Sequence, residues 1–123
     1  MGDFRRQLGL AGERLAERYL RRRGLKVVAR RYSTPVGEID LVMRAGATVV
    51  FVEVKTRRSR ALAEPHESVR LPKQRKLARC AEWFLRQKGW LGRPCRFDVV
   101  AVVVPEGGEA EIEHFPEAFL PEW

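Results

Sequence analysis

Three carboxylates and a lysine occur in one short, valine-rich stretch of the chain. Glu38 and Asp40 lie in one predicted strand, and Glu53 and Lys55 lie in the next. Because side chains two apart on a strand point the same way, each pair shares a face. Acids gathered on one face repel one another unless a proton or a cation intervenes. Oxygen ligands favour a hard ion, so a divalent cation such as Mg²⁺ or Mn²⁺ would relieve this repulsion.

The register of these two strands decides how near the acids come to one another. With a turn at Ala45-Gly46, Glu53 lies opposite Glu38. A slip of one residue along each strand puts Asp40 opposite Glu53 instead. In either register we expect the other face to carry the apolar side chains Ile39, Leu41, Val50, Val52 and Val54. The alternative interpretation is an exposed charged face that only aids solubility.

Hydrophobic periodicity predicts two helices and five strands. Apolar stripes with spacings of three and four residues indicate helices over 3–23 and 72–88, the second beginning at Pro72. Apolar runs predict strands over 25–32, 37–44, 47–56, 96–104 and 109–115. The order α-β-β-β-α-β-β predicts a three-layer α/β fold, a central mixed five-stranded sheet flanked by helices. We expect the tail from Pro116 to Trp123 to turn back and lay Phe119 and Leu120 on the core.

Further charged residues surround the acidic stretch. Glu13 falls at the edge of the first helix's apolar stripe, so it can point along the sheet toward the acids; the alternative is a carboxylate paired with an arginine. The segment 57–71 follows Lys55 directly, and we expect a mobile loop beside the site. Contacts with a nucleic-acid backbone are expected from four basic residues, with a solvated basic surface as the alternative. They are Arg57, Arg58, Lys73 and Lys76.

Composition narrows the class of protein. The 123 residues suit a single domain over 1–123, and 24 Lys and Arg against 16 Asp and Glu give a net charge of +8. Such a balance favours a polyanionic partner, either nucleic acid or an acidic membrane surface. Cys80 and Cys95 have neither zinc-site spacing nor a disulfide framework. No apolar run reaches membrane-spanning length and no signal peptide is evident, so we expect no membrane partner and a cytoplasmic location. Asp98 is explained by a cap or a salt bridge to arginine.

The acidic stretch resembles a known nuclease signature. An acid on a strand followed by Glu-x-Lys on the next, here Asp40, Glu53 and Lys55, is similar to the PD-(D/E)xK motif. The element order resembles that superfamily's restriction-endonuclease-like core, and Glu13 matches the first-helix acid of archaeal Holliday-junction resolvases. Over nearly its whole length the sequence also resembles the YraN family of uncharacterised bacterial proteins. The shared stretches are Gly12-Glu13, GEIDLV at 37–42, FVEVKTR at 51–57, PKQR at 72–75 and RFDV at 96–99.

The resemblance implies a metal-dependent endonuclease that hydrolyses phosphodiester bonds of DNA, structure-selective or non-specific, with branched DNA among its candidate substrates. It implies that Asp40 and Glu53, with the Val54 carbonyl, hold Mg²⁺ or Mn²⁺ as the cofactor. Lys55 would orient the attacking water or hold the transition-state oxygens, and Glu13 would complete the metal shell or align Lys55.

Four further expectations stay open at this point. Glu38 is a weaker, accessory candidate for the role of Glu13. A homodimer is compatible with the resemblance, because one site cuts one strand. The alternative function is a non-catalytic nucleic-acid-binding module in a repair, recombination or ribosomal complex. A third candidate function is a scaffold that recognises another protein, and its binding should not fall steeply with salt.

Overall fold

Two helices and five strands follow one another in the predicted order. The structure, a computed structural model, describes residues 2–59 and 70–120. Its elements are α1 (Gly2–Arg22), β1 (Lys26–Thr34), β2 (Gly37–Ala45), β3 (Thr48–Arg57), α2 (Leu71–Lys88), β4 (Cys95–Val103) and β5 (Glu111–Phe119). Most of the predicted 57–71 loop, residues 60–69, lies outside the described part of the chain, as does Trp123. Neither described helix is long and apolar enough to cross a membrane.

The five strands form one mixed sheet in the order β1-β2-β3-β4-β5. The pair β3 and β4 is parallel, and the other three neighbouring pairs are antiparallel. A parallel pair needs a long crossover, and α2 supplies it. The predicted α/β fold with a mixed five-stranded sheet is therefore confirmed.

The helices cover opposite faces of the sheet, which makes three layers. Ala16 and Leu20 of α1 are fully buried in a cluster with valines of β3 and β4. On the other face Phe84 of α2 packs edge-on against Tyr32 and Phe51, with ring centroids 5.0 Å and 5.8 Å away. The start of α2 carries Pro72 in its first turn, where a missing N–H breaks no helical hydrogen bond. The strands between the helices are thus buried on both sides.

The turn between β2 and β3 differs from the expected one. Ala45 pairs with Thr48, so the turn residues are Gly46 and Ala47 rather than Ala45 and Gly46. Gly46 has a φ of 59°, a left-handed conformation that glycine adopts without strain. The same register pairs Leu41 with Val52, which selects the alternative in which Asp40 lies opposite Glu53.

One expected face assignment in β2 is also wrong. Leu41 packs with Val50 and Val52 beneath α1 as expected, but Ile39 joins the cluster beneath α2. β2 loses its regular alternation of faces at Asp40. Opposite Asp40 lies Arg31 of β1, which has a φ of 47° and stands between two paired positions of that strand. Left-handed backbone at a non-glycine residue is a local distortion, and it coincides with the change of face between Ile39 and Leu41.

The C-terminal part of the chain continues as a strand instead of turning back at Pro116. β5 extends to Phe119, whose ring stacks on Phe97 at a centroid distance of 5.1 Å. Leu120 is 86% exposed, so its expected place on the core is wrong. Pro116 is tolerated because β5 is an edge strand, where a missing N–H need not break the sheet.

Candidate functional site

The site forms where main-chain pairing between β2 and β3 ends. The paired positions stop at Leu41 and Val52. Beyond them the Asp40 carboxylate takes the place of a main-chain acceptor, because Val54 N–H donates to Asp40 Oδ2 at 2.9 Å. This bond fixes Asp40 against β3 and beside Glu53.

Asp40 and Glu53 form a coupled carboxyl pair. Burial raises the pKa of Asp40 to about 8, and the hydrogen bond and charge of Glu53 act in the same direction. Burial would also raise the pKa of Glu53, but the hydrogen bond with Asp40 and the charge of Lys73 lower it on balance. In the metal-free protein near neutral pH the pair therefore retains one proton on Asp40 and one negative charge on Glu53.

Glu53 carries a buried oxygen that is paired with a lysine but has no well-aligned hydrogen bond among the described residues. Its side chain is 7% exposed, and Oε2 lies 3.1 Å from Lys73 Nζ, an ion-pair distance. Oε2 nevertheless has no partner of hydrogen-bond geometry within the described residues. A buried carboxylate oxygen without a hydrogen bond is costly, and such atoms often mark a missing ion or ligand. Although burial lowers the pKa of Lys73, Glu53 raises it on balance, so its ammonium stays charged.

Glu13 reaches the pair because α1 lies directly on β3. A Cβ at Gly12 would fall 2.8 Å from Thr56 Cγ2, so only glycine permits this approach. The next residue, Glu13, lines a cavity of about 490 Å³ together with Asp40 and Lys55. Burial raises the pKa of Glu13, and the charge of Arg31 partly offsets that rise. The structure thus places Glu13, Asp40 and Lys55 around one cavity, with Glu53 beside Asp40 and Lys55 adding positive charge near Glu53.

A second cavity, of about 260 Å³, opens on the α2 side of the same acids. Asp40 and Glu53 line it together with Glu38, Lys73 and Lys76. Glu38 stands at the rim, with 43% of its side chain exposed and Oε1 3.7 Å from Arg31 Nε. Two of the predicted backbone-binding residues, Lys73 and Lys76, therefore face the acids.

The other two predicted backbone-binding residues differ in their surroundings. Arg57 lines the cavity that holds Lys55, and its Nε is buried without a hydrogen-bond partner in the part of the chain that is described. Arg58 instead lies over the Phe4 ring, 4.7 Å from its centroid, and donates to the Val104 carbonyl at 3.4 Å. Of this pair, Arg57 is the nearer to the carboxylates.

Arg31 is a site residue that the sequence did not single out. It lies opposite Asp40, beside Glu38, and close enough to Glu13 to affect that carboxyl's pKa. Its φ of 47° makes it one of two non-glycine residues with left-handed backbone in the described ranges 2–59 and 70–120. Such distortions often occur at functional sites. Within a strand with other basic residues, nothing in the sequence distinguishes it from a solvated arginine.

Asp98 belongs to a separate, structural cluster. It is fully buried and accepts from Arg96 at 3.1 Å and from the Glu117 N–H at 3.1 Å, and its Oδ2 lies 2.7 Å from His114 Nε2. The expected salt bridge to arginine is present. Because these partners satisfy both oxygens, Asp98 ties β4 to β5 and is not a candidate ligand.

The residues at the site suit a hard cation only in part. Within residues 2–59 and 70–120 no group of three or more His, Cys, Asp and Glu side chains is arranged to hold a metal ion. Asp40, Glu53 and the Val54 carbonyl supply oxygen atoms alone, and Glu53 Oε2 has no aligned hydrogen-bond donor in the described part of the chain. Mg²⁺ commonly binds one or two carboxylates and keeps waters or substrate phosphates as its other ligands. Two carboxylates and one carbonyl would therefore suffice for Mg²⁺ if waters or phosphates supplied the other ligands.

Comparison with known proteins gives a family but no activity. The sequence model described as "Uncharacterised protein family UPF0102" matches residues 12–102. A UPF0102 protein of Syntrophotalea carbinolica is 48% identical over 115 residues, covering 94% of this chain and 93% of the relative. A UPF0102 protein of Desulfosudis oleivorans is 44% identical, covering 97% of this chain and 94% of the relative. One of Pelotomaculum thermopropionicum is 40% identical, covering 97% of this chain and 100% of the relative.

Proposed function

We propose, from the premise that this chain belongs to the uncharacterised protein family UPF0102, the YraN family, that it is a metal-dependent endonuclease acting on DNA. The observation that carries the proposal is the Asp40–Glu53 pair, half-buried at Asp40 and buried at Glu53. The pair lies beside Lys55 and Lys73, and one Glu53 oxygen lacks an aligned hydrogen-bond partner among the described residues. Two largely buried acids that share one proton are poorly suited to stabilising a fold. The resemblance to the PD-(D/E)xK signature supports the same conclusion.

Asp40 and Glu53, with the Val54 carbonyl, are the proposed ligands of Mg²⁺ or Mn²⁺. A bound divalent ion lowers the pKa of water and stabilises negative charge on a phosphate. Metal binding requires ionised carboxylates, so Asp40 must release the proton that burial and Glu53 hold on it. Affinity for the ion should therefore rise with pH up to about 8, the pKa of Asp40.

The remaining side chains act on the substrate and on one another. The Lys55 ammonium donates hydrogen bonds to the attacking water or to phosphate oxygens, where it offsets developing charge. Glu13 lines the same cavity, from which it would complete the metal shell or align that ammonium. Lys76 and Arg57, at either side of the acids, bind phosphates of the flanking backbone without reading base sequence. The mechanism thus predicts structure-selective or non-specific cleavage.

Cleavage of a DNA panel with matched variants tests the proposal. The panel contains duplex DNA, single strands, flaps and four-way junctions. Each substrate is incubated with wild type, Asp40→Asn or Glu82→Gln, once with Mn²⁺ and once with EDTA. Glu82 pairs with Arg86 on the outside of α2, so its loss controls for removal of one acid. We expect Asp40→Asn to lose at least about a hundredfold in rate, as removal of a transition-state contact does. Its DNA affinity should be unchanged or higher. Cleavage by Asp40→Asn at the wild-type rate would refute the site.

A non-catalytic nucleic-acid-binding module is the second candidate. It is favoured by the finding that no group of three or more metal-ligating side chains is preformed among the described residues. Such a module would bind DNA equally in EDTA and in Mn²⁺, would release no measurable heat on titration with Mn²⁺, and would leave every substrate intact. The nuclease proposal requires the opposite result in the calorimetry and in the cleavage assay.

A further inference from the structure

A groove runs between α1 and β1 and ends at Glu13 and Asp40. It encloses about 640 Å³. Six arginines line it, namely Arg14, Arg18, Arg21, Arg22, Arg30 and Arg31. We call it the arginine groove. Three acids, Glu13, Glu17 and Asp40, also line it, so the positive charges outnumber the negative ones two to one.

Both walls of the groove carry guanidinium groups. Arg14, Arg18 and Arg21 recur at spacings of four and three, which places them along one side of α1. Arg30 and Arg31 belong to β1 and form the facing wall. The walls are tied together by Arg30, which donates to the two oxygens of Glu17 at 2.6 Å and 3.0 Å.

Much of the positive charge in the groove is not neutralised by the protein. Glu17 pairs with Arg30 and lies 3.7 Å from Arg21. Arg14, Arg18 and Arg22 are exposed and make no ion pair with any residue that the structure describes. Like charges at a spacing of four weaken a helix, so this row costs α1 some stability. A polyanion lying in the groove would offset that repulsion.

We propose, on the basis of the nuclease function above, that the arginine groove binds an unpaired nucleic-acid strand on one side of the phosphate to be cut. The groove leads to Asp40, so a strand lying in it delivers a phosphate to the acids. Arginine suits such a strand for two reasons. Its guanidinium binds phosphate through paired N–H groups, and it also stacks on bases. Among the described residues no aromatic side chain lines the groove, so stacking on the bases would fall to the guanidinium groups.

The size of the groove favours one strand over a duplex. Its volume of about 640 Å³ is that of a site for a small ligand, a scale that a short run of nucleotides matches and a duplex exceeds. A single strand lying in the groove would contact arginines of both α1 and β1.

Binding by the cleavage-deficient Asp40→Asn protein in EDTA tests the inference. The probe is a fluorescein-labelled oligo-dT strand, compared by anisotropy with its oligo-dA·oligo-dT duplex at several salt concentrations. The variant pair is Arg14→Ala with Arg18→Ala, both exposed helix positions where alanine preserves the helix. The control pair is Arg44→Ala with Arg93→Ala, beside the Gly46-Ala47 turn and before Pro94, at the opposite end of the sheet. Thermal melts confirm that all variants fold.

We expect the groove pair to weaken oligo-dT binding at least about tenfold and to lower the salt slope by about 1.4, since each phosphate contact on a single strand contributes about 0.7. The control pair should change neither quantity. Equal losses in the two pairs, no loss in the groove pair, or tighter binding of the duplex would each overturn the inference. Displacement of oligo-dT by poly-glutamate at equal charge concentration would also overturn it, because it would indicate an acidic peptide. Since neither metal nor cleavage enters this assay, its outcome is independent of the nuclease test.

Discussion

Asp40 is the residue on which the site depends most. Its carboxylate accepts from the Val54 N–H, couples to Glu53, and borders the arginine groove and both smaller cavities. An asparagine at this position could keep the hydrogen bond to Val54 through its amide oxygen but could not ionise. The substitution therefore separates the structural role of Asp40 from its chemical role.

The raised pKa of Asp40 predicts how stability depends on pH in the metal-free protein. The folded-state pKa is about 8, whereas an unperturbed aspartate has about 3.9. The folded chain thus holds a proton that the unfolded chain has lost, and this contribution to stability disappears as pH rises through the folded pKa. The lowered pKa of Glu53 affects the free energy of unfolding only at acidic pH.

We expect the free energy of unfolding of the wild type in EDTA to fall between about pH 6 and about pH 8, by no more than about 1.4 kcal/mol per pH unit. Asp40→Asn should remove most of this slope, and Glu82→Gln should keep it. Urea unfolding at a series of pH values measures the effect. A wild-type free energy that is level over this range would contradict the assigned proton.

At the scale of elements, the contact between α1 and β3 sets the geometry of the site. Gly12 lies against Thr56, and this contact places Glu13 beside Asp40 and Lys55. The same helix carries most of the arginine groove. A small displacement of α1 would therefore alter both the acids and the groove without changing any of their residues.

Gly12→Ala should displace α1, because the added methyl group would overlap Thr56. We expect a loss of about 1–3 kcal/mol in unfolding free energy, the usual cost of overpacking, and a lower cleavage rate in the fraction that stays folded. Gly9→Ala is the matched control, since a Cβ there meets no atom within 4 Å and alanine stabilises a helix by up to about 1 kcal/mol. If denaturant melts give Gly12→Ala the stability of wild type, the close packing of α1 is not what positions Glu13.

For the whole molecule, the charge pattern matters more than the net charge of +8. Positive side chains flank the acidic pair on two sides, the arginine groove toward α1 and Lys73 with Lys76 toward α2. A strand can therefore enter from one side and leave on the other. Nothing among the described residues requires a strand end at the acids.

The open arrangement predicts that covalently closed DNA is a substrate. We expect single-stranded circles to be cut with Mn²⁺ at a rate comparable with that of linear strands of the same sequence, because both basic surfaces can hold internal phosphates. Denaturing gels that follow the conversion of circles to linear products measure this. Degradation of the linear strand alone, from its ends, would indicate an exonuclease and contradict the prediction.

Local patterns in the sequence were sufficient to predict the elements and the acids. Helix and strand periods depend on neighbours a few residues apart, and Glu-x-Lys at the end of β3 occupies consecutive positions of one strand. The position of Glu13 at the edge of the α1 stripe was readable in the same way. The strand register was left open between two alternatives, and Gly46 in its left-handed turn decided it.

By itself, then, the sequence determined the order of elements, the mixed sheet and the candidate carboxylates, because each of these depends on local periodicity or on residue type. Only the tertiary structure decided that Asp40 keeps its proton, that Arg31 is distorted opposite it, and that arginines of α1 and β1 face each other across a groove. These features arise from burial and from contacts between segments distant in the chain. The desolvation and charge that a side chain experiences depend on neighbours that no linear pattern specifies.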